Sequence, residues 1–295
     1  MNLKQGTLLQ GGKYRIEREL GHGGFGITYL ATQVGLNRKV AIKEFFMREC
    51  CARDGNTSNV LIGFEGCKEP VAKYRTKFVK EVQTIAGIDN CHVVRIYDIF
   101  EENETAYYVM EYLAGGDLKS RIPSGGIPEM EAIGYIRNIA DTLRYIYTKN
   151  VFHFNINPAN ILFRNEEEMV LIDFGISKQH DRDDIFVNEF DDYDFLFSNI
   201  CHGFSPLEQY RIGQSCSLTT AIYSIGATLY YMLTGCCPPE AIVLLEEGLP
   251  MLPSHVSAGT CTAVRQAMQP RYKDRPQTVE EFLELLGIED CKRLI

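Results

Sequence analysis

The stretch GHGGFGITYLA, residues 21–31, lies between two segments with the alternating apolar pattern of β-strands. Glycines at positions 21, 23 and 26 permit a hairpin whose backbone amides approach an anion without side chains in the way. A plain surface turn would have the same composition. The next strand, VAIK at residues 40–43, ends in Lys43, whose ammonium group could pair with phosphates. Together the two stretches indicate a phosphate-binding lobe.

Two patterns divide the chain around these motifs. Before about residue 112, short alternating apolar segments predict strands, at residues 14–20, 26–31, 39–46, 93–100 and 106–113. One helix is predicted among them, over residues 71–88, because apolar side chains recur at steps of three and four: Val71, Tyr74, Phe78, Val82 and Ile85. Later segments are helical, at residues 129–147, 219–233, 261–268 and 278–286. The sequence therefore predicts an α+β fold, with a small β-rich lobe carrying one helix (residues 1–112) and a larger α-helical lobe (residues 113–295).

The composition argues against some classes of partner. The chain has 295 residues, of which 45% are hydrophobic and 23% charged, and its formal net charge is -9. Nucleic acid is not expected as a partner, because binding its backbone needs clustered Lys and Arg. No apolar run follows Met1, and the longest one, around residues 221–233, is too short and too interrupted to cross a bilayer. We therefore expect a cytoplasmic protein without membrane insertion.

Ten cysteines are scattered through the chain. The adjacent pairs at residues 50–51 and 236–237 lack the two-residue gap of a zinc knuckle. A disulfide framework is typical of short secreted chains rather than of a chain of this length. The sequence therefore predicts free thiols.

With these motifs in order, the chain resembles the protein-kinase superfamily, and in particular the bacterial serine/threonine protein kinases of eukaryotic type, over residues 12–286. The resemblance implies a bilobal protein-kinase fold that binds ATP with Mg²⁺, or with Mn²⁺ in its place. Gly21, Gly23 and Gly26 correspond to the glycine-rich loop. Lys43 corresponds to the lysine that holds the α- and β-phosphates, and Glu81 to the carboxylate that pairs with it. The long insertion at residues 45–69 could displace the helix that carries Glu81.

Further nucleotide contacts follow from the resemblance of YYVMEYLAGGDL, residues 107–118, to the interlobe hinge. It places Met110 at the back of the adenine pocket, the backbone of Glu111 and Leu113 at the adenine edge, and Asp117 near the ribose. Ala41 and Leu162 resemble the apolar plates above and below adenine, and Thr28 replaces the usual valine there. Each of these would be ordinary core or surface without the family pattern around it.

Two metal ligands are also implied by the resemblance. IDFGISK, residues 172–178, contains the Asp-Phe-Gly motif, in which Asp173 would bind the metal. A carboxylate between Ile172 and Phe174 is costly unless it is ligated or hydrogen-bonded. Asn160 stands where the family has its second metal ligand, five residues after Asn155 and thirteen before Asp173.

The catalytic loop departs from the family pattern in its reactive groups. The family reads His-Arg-Asp-Leu-Lys-Pro-x-Asn, and VFHFNINPANILF, residues 151–163, has His153, Phe154, Asn155 and Asn157 at the first, second, third and fifth of these positions. Phe154 implies independence from activation-loop phosphorylation. Asn155 replaces the general base, whose loss removes about 10²- to 10⁴-fold in rate. Asn157 removes the cation beside the γ-phosphate.

Other positions show which parts of the family pattern are lost and which are kept. Cys201 replaces a hydroxyl that would bond to the catalytic Asp and Lys. Ala221 replaces the acid that fastens the backbone of the catalytic loop, so we expect this loop to be held differently. Glu208 and Arg275 are kept, and resemble the pair that ties the activation segment to the late helices.

The leading hypothesis is a pseudokinase that binds ATP with Mg²⁺ and acts on a protein partner, with phosphoryl transfer weak or absent. The alternatives are a weakly active ATP-dependent serine/threonine protein kinase, a nucleotidyl transferase with a remodelled site, and an interaction module with a vestigial nucleotide site. The acidic segment at residues 181–194 would be a solvated mobile loop, a lid over the substrate groove or a dock for a basic partner.

Overall fold

The computed structural model describes residues 2–174, 200–210 and 216–288. Gly175 and the acidic segment at residues 181–194 lie outside the described residues. The chain divides into two compact units, one formed by residues 1–89 and 94–113 and the other by residues 90–93 and 114–295. In the part that is described, no helix is both long and apolar enough to cross a membrane.

The first unit is built on a six-stranded antiparallel sheet with the order β1-β2-β3-β4-β8-β7. A separate two-stranded hairpin, β5-β6, lies between β4 and the first helix in sequence. The strands are β1 (Leu8–Leu9), β2 (Tyr14–Gly23), β3 (Gly26–Gln33), β4 (Arg38–Phe45), β5 (Cys51–Arg53), β6 (Val60–Ile62), β7 (Ile96–Glu102) and β8 (Thr105–Glu111). The five predicted strands are therefore present, and the sequence missed β1, β5 and β6 because each is only two or three residues long.

The helix of the first unit, α1 (Lys68–Ala86), packs on the sheet through its apolar side chains. The buried side chains are those that the sequence pattern predicted: Val71, Tyr74, Phe78, Val82 and Ile85. The Phe78 ring lies 5.6 Å from the ring of Phe45 on β4 and 5.0 Å from that of Tyr108 on β8. The helical period of three to four residues therefore identified the buried face.

The insertion between β4 and α1 is attached to the sheet by a buried ion pair. Arg53, in the β5-β6 hairpin, binds the carboxylate of Glu44, whose side chain is fully buried. The hydroxyls of Tyr29 and Tyr107 also donate to this carboxylate. A buried carboxylate is tolerated because these three donors replace its water. The insertion is thus packed on the strand that carries Lys43.

A disulfide corrects the expectation that all the thiols are free. Cys50, after β4, is bonded to Cys67, which immediately precedes α1, and their Cα atoms are 5.4 Å apart. Seventeen residues separate the two in sequence, and the fold of the insertion brings them together. Sequence spacing alone does not reveal such a long-range contact. The other described cysteines are free thiols, namely Cys51, Cys91, Cys201, Cys216, Cys236, Cys237 and Cys261.

The second unit is mainly helical. Its elements are α2 (Leu118–Arg121), α3 (Glu129–Thr148), β9 (Ile161–Phe163), β10 (Met169–Leu171), α4 (Leu218–Thr234), α5 (Ala241–Glu247), α6 (Ala258–Ala267) and α7 (Val279–Leu285). Helix α4 is apolar along most of its length and almost entirely buried. It packs closely on α6, since a Cβ at Gly226 would lie 2.6 Å from the Cβ of Ala267. The four predicted helices of this unit are present, with ends shifted by one to three residues.

Candidate nucleotide and catalytic-loop site

The predicted site residues fall in both units, and each group is described within its own unit. In the first unit, Gly23 pairs with Gly26 to close the hairpin between β2 and β3. No atom lies within 4 Å of a Cβ added at Gly21 or Gly23, whereas one at Gly26 would lie 2.8 Å from the Glu44 carbonyl oxygen. Gly26 is therefore required by packing, and the other two leave the tip of the hairpin open on the side of an incoming ligand.

Lys43 and Glu81 occupy facing surfaces of the sheet and α1. Lys43 and Phe45 are two residues apart on β4, so their side chains project from the same face of the sheet. Phe45 contacts Phe78 on that face, and Glu81 follows Phe78 by one helical turn. The insertion therefore leaves α1 packed on the Lys43 face rather than displacing it.

The hinge residues of the first unit lie at the end of β8. Ala41 pairs with Met110 and Thr28 pairs with Lys43 in the sheet. Met110, Leu113 and Ala41 are buried. The buried Glu111 accepts a hydrogen bond from the Arg95 backbone amide through Oε1 (2.9 Å), and its own amide donates to the Arg95 carbonyl (3.0 Å). This structural role of the Glu111 side chain was not predicted from the sequence.

In the second unit, Asn157 directs its side chain back into the catalytic loop. Its Oδ1 accepts from the Ala159 amide (3.0 Å) and caps the 3₁₀ turn Pro158–Asn160. Its Nδ2 donates both to the carbonyl of Asn155 and to Asn155 Oδ1, each at 3.1 Å. Asn157 is only 4% exposed. The residue at the lysine position is therefore committed to the loop itself.

These bonds also fix the polarity of Asn155. Because Asn155 Oδ1 accepts from Asn157, the amide group that remains for a ligand is Nδ2, which is a donor. The backbone carbonyl of Asn155 accepts a further bond from Asn160 Nδ2 (2.9 Å). The loop can therefore offer a hydrogen-bond donor at the position where the family resemblance implies a proton acceptor.

The segment before Asp173 is joined to this loop by backbone bonds. The Ile172 amide donates to the Asn160 carbonyl (3.0 Å), and the Ile172 carbonyl accepts from the His153 ring (3.1 Å). Asp173 has a left-handed backbone with φ of 58°, a conformation that costs of order 1 kcal/mol or more for a non-glycine residue. The two predicted metal ligands, Asn160 and Asp173, thus lie on segments that are directly hydrogen-bonded to each other.

His153 supports the loop as a neutral ring. Its Nδ1 accepts from the Asn155 amide (3.2 Å), so Nε2 carries the proton that it donates to the Ile172 carbonyl. Burial lowers the pKa of His153 to about 4, because the charged ring would lose its water. The ring also packs on Phe174, with centroids 4.4 Å apart.

The buried His153 predicts a loss of stability in mild acid. Its pKa is lower in the folded than in the unfolded chain, so the stabilisation is complete above pH 6.5 and decreases as the pH falls toward 4. By pH 4 the loss is about 3 kcal/mol in the free energy of unfolding. Urea unfolding between pH 7.5 and 4.5 measures it, with His153→Gln as the neutral control. Parallel pH profiles for the parent and the variant would contradict this role.

Asp117 and Leu162, which the resemblance placed beside the ribose and adenine, lie next to each other in the second unit. They form an isolated antiparallel bridge. The Asp117 carboxylate accepts from the Ser120 amide (2.7 Å) and so caps the start of α2. A capping carboxylate is a common structural feature, and this bond holds the Asp117 side chain in a fixed position.

The remaining departures from the family pattern are also in the second unit. Burial raises the pKa of the Cys201 thiol to about 11, so this group is neutral near pH 7. Ala221 is fully buried in α4. Instead of a carboxylate at that position, the loop is held by Gln209, whose Nε2 donates to the Phe154 carbonyl at 2.7 Å. Sequence reasoning missed Gln209, because a single glutamine beside Glu208 gives no pattern.

Glu208 and Arg275 form a buried bidentate ion pair, as the resemblance implied. Arg275 Nη1 lies 2.6 Å from Glu208 Oε1, and Nη2 lies 3.1 Å from Oε2. Both side chains are at most 4% exposed. The guanidinium group also donates to the carbonyls of Thr219, Gln269 and Pro270. The pair therefore joins the 3₁₀ turn Leu207–Tyr210 to the start of α4 and to the segment before α7.

No cluster of three or more His, Cys, Asp or Glu side chains suited to a metal ion occurs in the described ranges. This does not bear on a magnesium site formed by Asn160 and Asp173, because Mg²⁺ binds through one or two protein oxygens and keeps several waters and phosphate oxygens. The donor set of the second unit, an amide and a carboxylate, is of the oxygen type that this ion prefers.

The fold and these motifs define a protein kinase domain. The family model described as "Protein kinase domain" matches residues 14–286, and the chain belongs to this family. Among its relatives, serine/threonine-protein kinase PrkC of Bacillus subtilis is 29% identical over 273 residues, which cover 92% of this chain and 37% of PrkC. Serine/threonine-protein kinase B of Synechocystis is 28% identical over 288 residues, covering 95% of this chain and 47% of that protein.

A solved structure has the same fold. The structure titled "PpkA-294 apo form" matches with a TM-score of 0.79 and 25% sequence identity, and the match covers 97% of this chain and 99% of the other. The chain thus spans less than half the length of the two curated relatives, PrkC and kinase B, but nearly the whole of this solved kinase-like domain. The α+β protein-kinase fold predicted from the sequence is confirmed.

Proposed function

We propose that this kinase domain binds ATP with Mg²⁺ but transfers phosphate weakly or not at all, so that it acts mainly as a nucleotide-dependent regulator of a protein partner. The observation that carries the proposal is the closed amide pair of the catalytic loop. Asn157 Nδ2 donates to Asn155 Oδ1, which commits the one acceptor oxygen of the Asn155 side chain. A neutral amide that presents a donor cannot take the proton of a substrate hydroxyl.

The residues present fit a magnesium–nucleotide complex. Gly21 and Gly23 leave the backbone of the β2-β3 hairpin open, and Lys43 would bind the α- and β-phosphates. Asn160 and Asp173 would hold Mg²⁺, which, when bound, neutralises charge on the phosphates. The bond between the Ile172 amide and the Asn160 carbonyl keeps the segments carrying the two ligands together. Nucleotide could then stabilise one conformation of the domain for a partner, and a cytoplasmic location is part of this proposal.

A thermal-shift measurement tests nucleotide binding. When free ATP with Mg²⁺ is at about 100 times its Kd, the free energy of unfolding should rise by about 2.7 kcal/mol. The variant Asp173→Ala should lose the part of this shift that depends on the metal. As a matched control, Asp274→Ala changes an exposed acid outside the site and should keep the full shift. The absence of any shift with either Mg²⁺ or Mn²⁺ would disprove nucleotide binding.

The second candidate is an active serine/threonine protein kinase, and the similarity to PrkC and kinase B supports it. Phosphoryl transfer depends largely on positioning and charge neutralisation, so Lys43 and a bound metal could sustain a low rate without a base. Incubation with γ-labelled ATP and a generic basic protein distinguishes the two candidates. Label that disappears in Asp173→Ala would favour the kinase, and no label in the parent would favour the regulator.

A further inference from the structure

The catalytic loop of this domain is held at its backbone by a buried glutamine. Gln209 Nε2 donates to the Phe154 carbonyl at 2.7 Å, and both residues are buried, at 6% and 3% exposure. The family resemblance implies that an acid on α4 fastens this loop, but the residue there is Ala221, which has no polar side-chain atom. The amide of Gln209 is therefore a contact made from a different element, the 3₁₀ turn Leu207–Tyr210.

This contact lies one peptide unit from the predicted metal ligand's own support. The next carbonyl along the chain, that of Asn155, accepts bonds from Asn160 Nδ2 (2.9 Å) and Asn157 Nδ2 (3.1 Å). Gln209 thus fixes the peptide that precedes the carbonyl to which Asn160 is bonded. A change in the Phe154 carbonyl would be passed directly to the orientation of Asn160.

The turn that carries Gln209 is itself held rigidly. Its neighbour Glu208 is bound by both terminal nitrogens of Arg275 and by the Thr220 hydroxyl (3.0 Å). The Gln209 amide donates to the Pro206 carbonyl (3.0 Å). The side chain of Gln209 therefore extends to the loop from a base that does not shift easily.

Stability alone does not account for a glutamine at this position. Gln209 Oε1 is buried, and among the described residues it has no hydrogen-bond partner. Leaving such an oxygen without a partner costs about 1–3 kcal/mol. A methionine has a similar shape and no such oxygen, so it would avoid this cost while filling the same space. The polar side chain is explained by the one bond that it does make, to the catalytic loop.

We propose that Gln209 is a positioning residue that takes the place of the missing acid at Ala221 and, by holding the Phe154 carbonyl, sets the affinity of the Asn160 site for the divalent cation of the bound nucleotide. This inference rests on the proposed function, because it concerns the same metal–nucleotide site. It predicts that removal of the Gln209 amide weakens the metal without weakening the nucleotide itself or the fold.

The test compares Gln209→Met with the parent. ATP binding is titrated by calorimetry in EDTA and at increasing Mg²⁺, and the melting temperature is recorded without ligand. In the variant, the Mg²⁺ concentration for half of the metal effect should rise by about tenfold, as is usual when a partner of a metal ligand is removed. The affinity for metal-free ATP should stay the same, and the melting temperature should stay the same or rise.

The matched control is Gln269→Met. Gln269 Nε2 also donates to a backbone carbonyl, that of Arg265 (3.1 Å), but this carbonyl is in the late helices. Its metal dependence should equal that of the parent. The inference is overturned if Gln209→Met keeps the parent's Mg²⁺ dependence, or if it unfolds or loses metal-free and metal-bound nucleotide equally, which would show a merely structural role.

A measurement without nucleotide separates this inference from the proposed function. Hydrogen exchange of the amides at residues 153–160 should be faster in Gln209→Met than in the parent, because the loop has lost a backbone contact. If the parent binds no ATP but this exchange still increases, the proposed function fails and the positioning of the loop stands. Unchanged exchange would disprove the positioning whatever the nucleotide does.

Discussion

Asn155→Asp should raise the rate of phosphoryl transfer from ATP to a protein hydroxyl by about 10²- to 10⁴-fold. One carboxylate oxygen would accept from Asn157 Nδ2, as Asn155 Oδ1 does at 3.1 Å. The other oxygen would replace the Asn155 amide nitrogen and supply the missing proton acceptor. The rate is measured with γ-labelled ATP and a generic basic protein, and Asp173→Ala in the same background should remove all label.

The control for added charge is Asn165→Asp. Asn165 is exposed, and its Oδ1 accepts the amides of Glu167 and Glu168 in a turn, so the same change of an amide to an acid is made outside the catalytic loop. It should leave the rate at the parental level. If Asn155→Asp also leaves the rate unchanged, the lost base is not the limiting defect, and the different fastening of the loop at Ala221 becomes the explanation.

The structure also shows why a second restoring change should help less than the first. Asn157→Lys would supply a cation beside the γ-phosphate. It would also remove the bond from Asn157 Oδ1 to the Ala159 amide, which caps the 3₁₀ turn Pro158–Asn160. Loss of such a cap costs about 1 kcal/mol. The single variant Asn155→Asp therefore tests the catalytic base without disturbing the segment that carries Asn160.

The sequence predicted best those features that repeat along the chain. The buried face of α1 followed from the spacing of Val71, Tyr74, Phe78, Val82 and Ile85, because a helical period reports which side chains share a face. The order of the motifs likewise identified the fold. The conformation of Asn157 did not follow, because a motif gives the position of a residue and not the direction in which its side chain is bonded.

Long-range contacts were the features that the sequence could not show. The bonds from Gln209 to Phe154 and from Arg53 to Glu44 join residues far apart in the chain, and neither leaves a local period. The disulfide between Cys50 and Cys67 was missed for the same reason, since the expectation of free thiols rested on chain length and spacing alone. Such contacts depend on how the insertion and the turns fold, which only the three-dimensional structure defines.

Arg275→Met should lower the free energy of unfolding by about 3–5 kcal/mol, because it leaves the buried carboxylate of Glu208 without its cation. The guanidinium group is fully buried, and it also satisfies three backbone carbonyls. Urea unfolding measures the loss. The matched control is Arg144→Met, which breaks the more exposed pair with Glu280 and should cost less than about 1 kcal/mol.

The double variant Glu208→Gln with Arg275→Met separates the two parts of this cost. The charge of the uncompensated carboxylate is removed in the double variant, and the Thr220 hydroxyl, which now donates to Glu208 Oε1, can donate to the amide oxygen instead. The double variant should therefore be more stable than Arg275→Met alone, because a buried ion with no partner costs more than a neutral pair. If Arg275→Met proves as stable as Arg144→Met, the buried pair is not what holds the turn carrying Gln209. If the double variant is no more stable than the single one, the lost carbonyl contacts of Arg275, and not the charge of Glu208, account for the destabilisation.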